Sequence, residues 1–346
     1  LLRYFIRRIL LIVPTFIGIT LVTFLILQFV PGGPMEQYLM RLQSGSNSNT
    51  SEIQNSVTGR TGISNIPESA LREMKEFYGF DKPVITRYFD WLKNLAGFNF
   101  GKSYVYSEPV IDVIASRFPV SVYFGLIGFI LTYAVCVPLG VMKAARSGTR
   151  FDFFSSVLVF LGYSVPGWAF GALLLVLLGG GSFLNVFPLG GFNSDDFDNL
   201  SFFGQVFDRI KHTVLPVLSY LIGSFATLTI LTKNSVVDSL NQDYIRTAYA
   251  KGLSEKRVVF VHALRNSLIP VVTGLGYFFG ILLTGSILIE KVFNIPGIGL
   301  LAYDSMINRD YPVVMGLLVF QSLILLTGNI LTDILYAAVD PRVKYK

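Results

Sequence analysis

The stretch that comes closest to catalytic machinery is "GFNFGKS", Gly97 to Ser103. A phosphate-binding loop needs four residues between its first glycine and the Gly-Lys pair, so that backbone amides can wrap the phosphates, and a buried strand ahead of it. Here three residues intervene and no apolar strand precedes them, so a turn is expected and not an ATP site. The two histidines, His212 and His262, lie far apart, and no metal-ligand spacing is present. Cys136, the single cysteine, sits in an apolar run and reads as a small hydrophobe. Asn49-Thr50-Ser51 and Asn199-Leu200-Ser201 fit a glycosylation acceptor, a pattern too short to carry weight alone. These residues point to no catalytic site, no metal and no resident cofactor. The remaining concentration of polar chemistry is "DYIRTAYAKGLSEKRVVFVHALRNSLIP", residues 243–270, with Arg246, Lys251, Lys256, Arg257 and Arg265 arranged around Gly252.

The elements that must position this segment are apolar. The chain has 346 residues, of which 52% are hydrophobic and 14% charged, and its mean hydropathy is +0.57. Soluble domains carry roughly 25% charged residues, so a membrane environment is expected. The net charge of +6 does not form a nucleic-acid stripe, because the cations sit at the ends of hydrophobic runs. Six runs are long enough to cross a bilayer as helices: 9–30, 120–141, 154–178, 213–232, 268–289 and 313–331. None contains Asp, Glu, Lys, Arg or His, which argues against an ion-coupled carrier. Pro14, Pro138, Pro166, Pro216 and Pro270 fall inside them and permit bending. Gly276 and Gly280 have small-xxx-small spacing, suited to close helix packing. The first run is longer than a signal core and lacks a small-x-small cleavage site, so it reads as a retained span.

Orientation follows from the distribution of Lys and Arg. With the N-terminus inside, the inner segments hold fifteen of these residues, among them Arg3, Arg7, Arg8, Lys143, Arg146, Arg150 and Lys233. The two short outer loops hold four: Arg209, Lys211, Lys291 and Arg309. The bias places both termini and the 243–270 segment in the cytoplasm. The organisation expected is therefore a cytoplasmic N-terminus with the first span (1–30), an extracytoplasmic loop or cap (31–119), a membrane domain with the other five spans (120–337), and a cytoplasmic tail (338–346). In the long loop, "PESALREMKEFYGF" and "DKPVITRYFDWLKNLAGF" read as short helices, the second with a stripe from Val84 and Ile85 through Tyr88 and Phe89 to Leu92. A Ser/Asn/Gly/Thr-rich stretch precedes them and is expected to be mobile.

Within 243–266, Asp243 is suited to cap a helix "YIRTAYAK", Gly252 to end it in the left-handed conformation, and Ser254 to cap the next. Ile245, Ala248 and Tyr249 share one face, with Ala248 small enough to admit another surface. A basic loop gripping anionic lipid is the alternative, but it does not account for a capped, glycine-ended helix. The expectation is a protruding helix that docks on a cytoplasmic partner.

Thr247-Ala248-Tyr249-Ala250-Lys251-Gly252 followed by "LSEKRVVFVHALRNSLIP" resembles the "EAA" loop of binding-protein-dependent ABC permeases. Thr247 stands where Glu is usual and Tyr249 where a second Ala is usual. The start "LLRYFIRRILLIVPTFIGITLVTFLILQFVPGGP", with Gly33 where Asp is more usual, is similar to the dipeptide/oligopeptide branch. So are "YGFDKPVITRYFDWL", "GSILIEKVFNIPGIGLLAYDSMINRDYP" and the closing "DPR". The Ser/Asn/Gly expansion and "GTRFDFFSSVLVFLGYSVPGWAF" look most like the Yej-type subunit, associated with oligopeptide and microcin C import. The resemblance implies an all-α, six-span permease subunit of the type I ABC importer kind, with a small extracytoplasmic helical insertion. It implies a second homologous permease, cytoplasmic ABC ATPase subunits that bind the ATP, an extracytoplasmic peptide-binding protein, and residence in a bacterial inner membrane. ATPase coupling would fall to Ile245, Arg246, Thr247, Ala248, Tyr249, Ala250, Lys251 and Gly252. Two other readings stay open: a self-sufficient channel or carrier, and a receptor or adhesin loop anchored by the spans.

Overall fold

The computed structural model describes residues 2–29, 82–181, 183–268, 270–272 and 285–339. These residues are helical, and their extended pairings are two isolated bridges, Lys102 with Pro109 and Gly179 with Phe187. The helices are α1 (Leu2–Phe29), α2 (Val84–Ala96), α3 (Val110–Ala145), α4 (Arg150–Ser164), α5 (Gly167–Leu178), α6 (Phe202–Leu240) and α7 (Asp243–Ala250). Then come α8, which opens at Glu255–Arg257 and runs on through a π turn, Val258–Ala263, followed by α9 (Ile287–Val292), α10 (Ile298–Ile307) and α11 (Tyr311–Val339). Among the described residues, four helices are long and apolar enough to cross a membrane: Leu10–Leu27, Val110–Ala145, Phe202–Leu240 and Tyr311–Ile334. Three of the six expected runs, 120–141, 213–232 and 313–331, lie within them, and Leu10–Leu27 covers most of the first.

The run 154–178 departs from expectation. It is not one straight span but two helices, α4 and α5, bent by 91° at the break between them. The cause is local. Pro166 clashes with an α conformation at the residue before it, and Val165 is accordingly extended, at φ −104° and ψ 120°. The break is then held by packing: a Cβ on Gly167 would lie 2.5 Å from the Ser219 carbonyl oxygen, and one on Gly171 2.6 Å from Ser219 Oγ. Backbone contact of this closeness needs glycine. Pro14, Pro138 and Pro216, by contrast, sit inside continuous helices. The run 268–289, with Gly276 and Gly280, lies mostly outside the described residues. Its last residues, 287–289, belong to the separate short helix α9, entered through Gly285 at φ +73°. The expected "PESALREMKEFYGF" helix, Gly33, Asn49 and the "DPR" tail also lie outside the described residues.

The described chain divides into two compact units. In the larger one (1–13, 114–303 and 320–346) the core is built where α3 and α6 meet α9. Val120, Phe124, Leu215, Val217, Ile289, Phe293 and Ile295 form one buried cluster. In the smaller one (14–113 and 304–319) α2 lies on α1. Tyr88 is buried between Phe24, Trp91 and Met315, and its hydroxyl donates to the Ile17 carbonyl at 3.2 Å and meets Thr20 Oγ1 at 3.0 Å. The expected stripe on α2 is thus narrower than read: Val84, Tyr88 and Leu92 pack, while Ile85 and Phe89 are exposed.

The "GFNFGKS" stretch is a turn, as its spacing implied. Phe98 and Gly101 take left-handed φ values of 58° and 81°. Fully buried Asp310 accepts hydrogen bonds from Ser103 Oγ, from Tyr104 N at 3.1 Å and from Val105 N at 3.2 Å. The site that could have held a phosphate is thus organised around a carboxylate from its own unit.

Candidate functional site

The 243–266 segment folds as a helix, a corner and a second helix. α6 ends at Leu240, Asn241 remains helical, and Gln242 turns extended (φ −80°, ψ 153°) to become the N-cap of α7. Asp243 is therefore not the cap. It is the first helical residue, where its charge still favours the N-terminal end of the helix dipole. Its carboxylate lies 3.4 Å from Arg246 Nη1, but both side chains are exposed, and such a pair contributes little.

The far end of α7 closes as the glycine requires. Gly252 sits at φ +77°. The Leu253 amide donates to the Ala248 carbonyl at 3.4 Å, and the Gly252 amide to the Tyr249 carbonyl at 2.9 Å. These two bonds are the Schellman pair, and the apolar contact that accompanies it is present between Leu253 and Ala248. A Cβ on Gly252 would meet no atom within 4 Å, so the demand for glycine is purely one of backbone conformation. Ser254 takes the N-cap conformation ahead of α8, but its side chain makes no capping bond; its carbonyl accepts from Val258 N at 3.0 Å.

One expectation about this helix is overturned. Ala248 does not leave room for an outside surface. It is 6% exposed, and with Ile245, at 1%, it packs on Val258, Ala263, Leu240 and Leu253 of the same chain. A short side chain at 248 lets α7 lie directly on α8. Tyr249, expected on the same face, is exposed. The surface left open includes Asp243, Tyr244, Arg246, Thr247, Tyr249, Ala250, Lys251 and Gly252, continued on α8 by Lys256, Arg257 and Arg265.

The sequence reading gave no hint of the π turn. Leu264 N donates to Val259 O, five residues back, which marks the wider turn. Val258 and Ala263 are also five apart, and both face α7. The wider turn brings them onto one face, whereas an α-helix would set them on different ones. Val259 is buried on another side, among Val141, Ala144 and Val236 of α3 and α6. The signal in hindsight is that "VVFVHA" offers apolar residues to two different surfaces at once.

A buried ionic group fixes the same ends of α3, α4 and α6. Lys143, 1% exposed, donates from Nζ to Ser155 Oγ and Ser156 Oγ at 2.8 Å each and to the Asp152 carbonyl at 3.1 Å. The Asp152 carboxylate lies 3.2 Å from Lys143 Nζ and accepts from Lys233 Nζ at 2.7 and 2.8 Å and from Gly148 N at 3.2 Å. Lys143 and Lys233 served in the sequence only as orientation charges; the acid between them, in "TRFDFF", was the sign that they are structural too.

A second buried carboxylate organises residues 285–300. Glu290, 1% exposed, accepts from Ser121 Oγ at 3.1 Å and from Leu300 N at 2.8 Å. A Cβ at Gly297 would lie 2.5 Å from its Oε2, so glycine lets the backbone close over the acid. Burial pushes this carboxyl up to about 7, against hydrogen bonds from Leu300, Ser121, Gly299 and Ser286 that pull it down. Among the described residues no three His, Cys, Asp or Glu side chains gather as a metal site.

The comparisons agree with this picture. Residues 136–345, more than half the chain, match the family described as "Binding-protein-dependent transport system inner membrane component". The chain is 40% identical over 359 residues to the inner membrane ABC transporter permease protein YejB of Escherichia coli O157:H7, covering 99% of each. It is 38% identical over 357 residues to the peptidoglycan transport system permease protein YejB of Agrobacterium fabrum, covering 99% of this chain and 98% of the relative. It is 34% identical over 361 residues to the dipeptide transport system permease protein DppB of Escherichia coli K12, covering 100% and 99%. A multi-pass helical chain with a glycine-closed surface helix, matched end to end by such permeases, belongs to the family of binding-protein-dependent transport system inner membrane components.

Proposed function

We propose that this chain is the permease subunit of a Yej-type peptide importer and that α7 with its Gly252 corner is the point where cytoplasmic ATPase subunits engage it. The observation that carries the coupling reading is the construction of α7. Its apolar face is spent internally on α8 and its end is locked by the Schellman pair, so its open face is presented rigidly, with side-chain bonds only to Asp243 of its own first turn among the described residues. The substrate class rests on relatives whose names specify dipeptide and peptidoglycan transport.

In this reading both termini and α7 lie in the cytoplasm, residues 31–119 supply an extracytoplasmic cap, and six spans cross the membrane. A second, homologous permease lines the other half of the path. An extracytoplasmic binding protein delivers the peptide, and ATP is hydrolysed by the ATPase subunits. The docking surface is reassigned relative to the bare pattern: Thr247, Tyr249, Ala250 and Lys251 touch the partner, while Ile245 and Ala248 hold the helix in place.

The test is ATP-driven uptake of labelled tri-alanine by the assembled importer in proteoliposomes. Thr247→Trp, at an exposed position, is expected to lower uptake at least tenfold with normal membrane insertion and normal assembly of the two permeases. Uptake at the parental rate by this variant would sink the docking surface. Tri-alanine flux through this chain alone, without ATPase or binding protein, would overturn the subunit reading in favour of a self-sufficient carrier.

A further inference from the structure

A groove of about 420 Å³ runs between α4 and the C-terminal half of α6, within the larger unit. Phe160 and Tyr163 of α4 form one wall, and Thr227, Ile230, Leu231 and Asn234 of α6 form the other. None of these residues belongs to the coupling surface, and none is ionisable at neutral pH.

Three of the lining residues carry neutral polar groups: the hydroxyls of Tyr163 and Thr227 and the amide of Asn234. All three are exposed, and among the described residues their side chains make no hydrogen bond. Hydroxyls on the packed side of α6 behave differently. Ser219 Oγ donates to the Leu215 carbonyl at 2.9 Å and Thr232 Oγ1 to the Leu228 carbonyl at 2.8 Å, the usual way for a helical hydroxyl to satisfy itself. Thr227 and Asn234 are seven residues apart, so they stand on one line along α6, roughly 10 Å from each other. Thr227 falls inside the apolar run 213–232 and Tyr163 inside the run 154–178.

An unpaired polar group facing hydrocarbon is unfavourable, so lipid does not suit this face. The backbone points the same way. The 91° break between α4 and α5 follows Ser164, one residue beyond Tyr163. Interrupted helix at membrane depth is tolerated where it is buried in protein or lines a water-filled cavity. Hydroxyls and an amide both donate and accept, which matches a strand of alternating N–H and C=O groups. A helix packed in from a second permease matches less well, because its backbone groups are already bonded within it. We propose that this groove lines the peptide path and that Tyr163, Thr227 and Asn234 hydrogen-bond the backbone of a peptide in transit. The proposal rests on the peptide-import reading and adds to it residues of the path and the part of the peptide that they contact.

The test uses the complete importer in proteoliposomes, with Thr227→Cys and Asn234→Cys treated with a sulfonated methanethiosulfonate, a reagent that needs a thiolate in contact with water. Native Cys136 is buried, so the parent importer supplies the blank. Leu158→Cys is the control, since Leu158 and Phe154 make an exposed apolar face of α4 outside the groove. Both groove cysteines are expected to react much faster than Leu158→Cys. Labelling is expected to lower tri-alanine uptake about tenfold against the same variant unlabelled, equivalent to about 1.4 kcal/mol on the transport barrier. Tri-alanine supplied with ATP is expected to slow the labelling. Two positions are used so that either decides the matter if the other variant fails to assemble. Groove cysteines as slow as the control would show that lipid or the second permease covers the groove, and would overturn the assignment. So would labelling that leaves uptake unchanged, or labelling that tri-alanine and ATP do not slow. The readings fail separately: parental uptake with unreactive groove cysteines removes the groove alone, whereas absence of tri-alanine uptake by the parent importer removes peptide import.

Discussion

Replacing Asp152 by asparagine removes the one negative charge that Lys143 and Lys233 share. Lys143 cannot follow its lost partner into water, because its side chain is 1% exposed. It keeps three neutral acceptors, the Asp152 carbonyl and the Ser155 and Ser156 hydroxyls. Lys233, with 20% of its side chain exposed, has an escape route. Breaking a buried pair from one side costs about 3–5 kcal/mol. The retained acceptors and the partial exposure of Lys233 place Asp152→Asn near the lower end, at about 3 kcal/mol. Lys233→Met leaves Asp152 paired with Lys143 and is expected to cost about 1 kcal/mol, close to the value for a partly exposed pair. The gap of about 2 kcal/mol is a factor of roughly 30 in the unfolding equilibrium. The assay is unfolding of the purified chain in mixed micelles by graded denaturing detergent, followed by tryptophan fluorescence; Trp168 in α5 reports on the unit concerned. Equal losses for the two variants would refute the argument, because they would show that the burial of Lys143 does not control the cost.

Gly167→Ala places a Cβ 2.5 Å from the Ser219 carbonyl and should destabilise the chain by about 1–3 kcal/mol, the range for overpacking, seen as a lower thermal unfolding midpoint. Gly252→Asn should be tolerated and Gly252→Val should not, since the corner needs φ +77° and asparagine visits that region far more readily than a β-branched residue; uptake rates of the two variants decide it. Burial pushes the Glu290 carboxyl up to about 7, above the ordinary carboxylate range, so the native state favours the protonated acid. Its contribution is fully present below about pH 4.5 and declines as pH rises through 7. Unfolding midpoints measured in nanodiscs between pH 5 and 8 should fall for the parent and flatten for Glu290→Gln.

The sequence made the long helices legible because twenty-residue apolar runs have few alternatives in a bilayer. It made the Gly252 corner legible because the left-handed region admits few residue types. It did not show that the run 154–178 is broken, since Pro166 lies among five prolines in such runs, and three of the others sit in continuous helices. What distinguishes it is the Gly167 and Gly171 contact with Ser219, which only the packing reveals. The face assigned to Ala248 was open to misreading for the same reason. A small residue permits close approach without saying what approaches, and here it is the chain's own Val258 and Ala263.

The π turn at Val258–Ala263 holds one residue more than an α-helix of the same rotation. A residue added to an ordinary helix rotates everything beyond it by about 100°. The wider turn absorbs that residue locally, so Val258 and Ala263 both face α7 while Val259 and Leu264 pack toward α3 and α6. Deleting one residue between 258 and 263 would restore ordinary winding and leave the downstream face in phase, and the cost would fall on the contact with α7. The extra residue is a local adapter between two surfaces, and a deletion here would loosen the seat of α7 without turning the helix that continues from it.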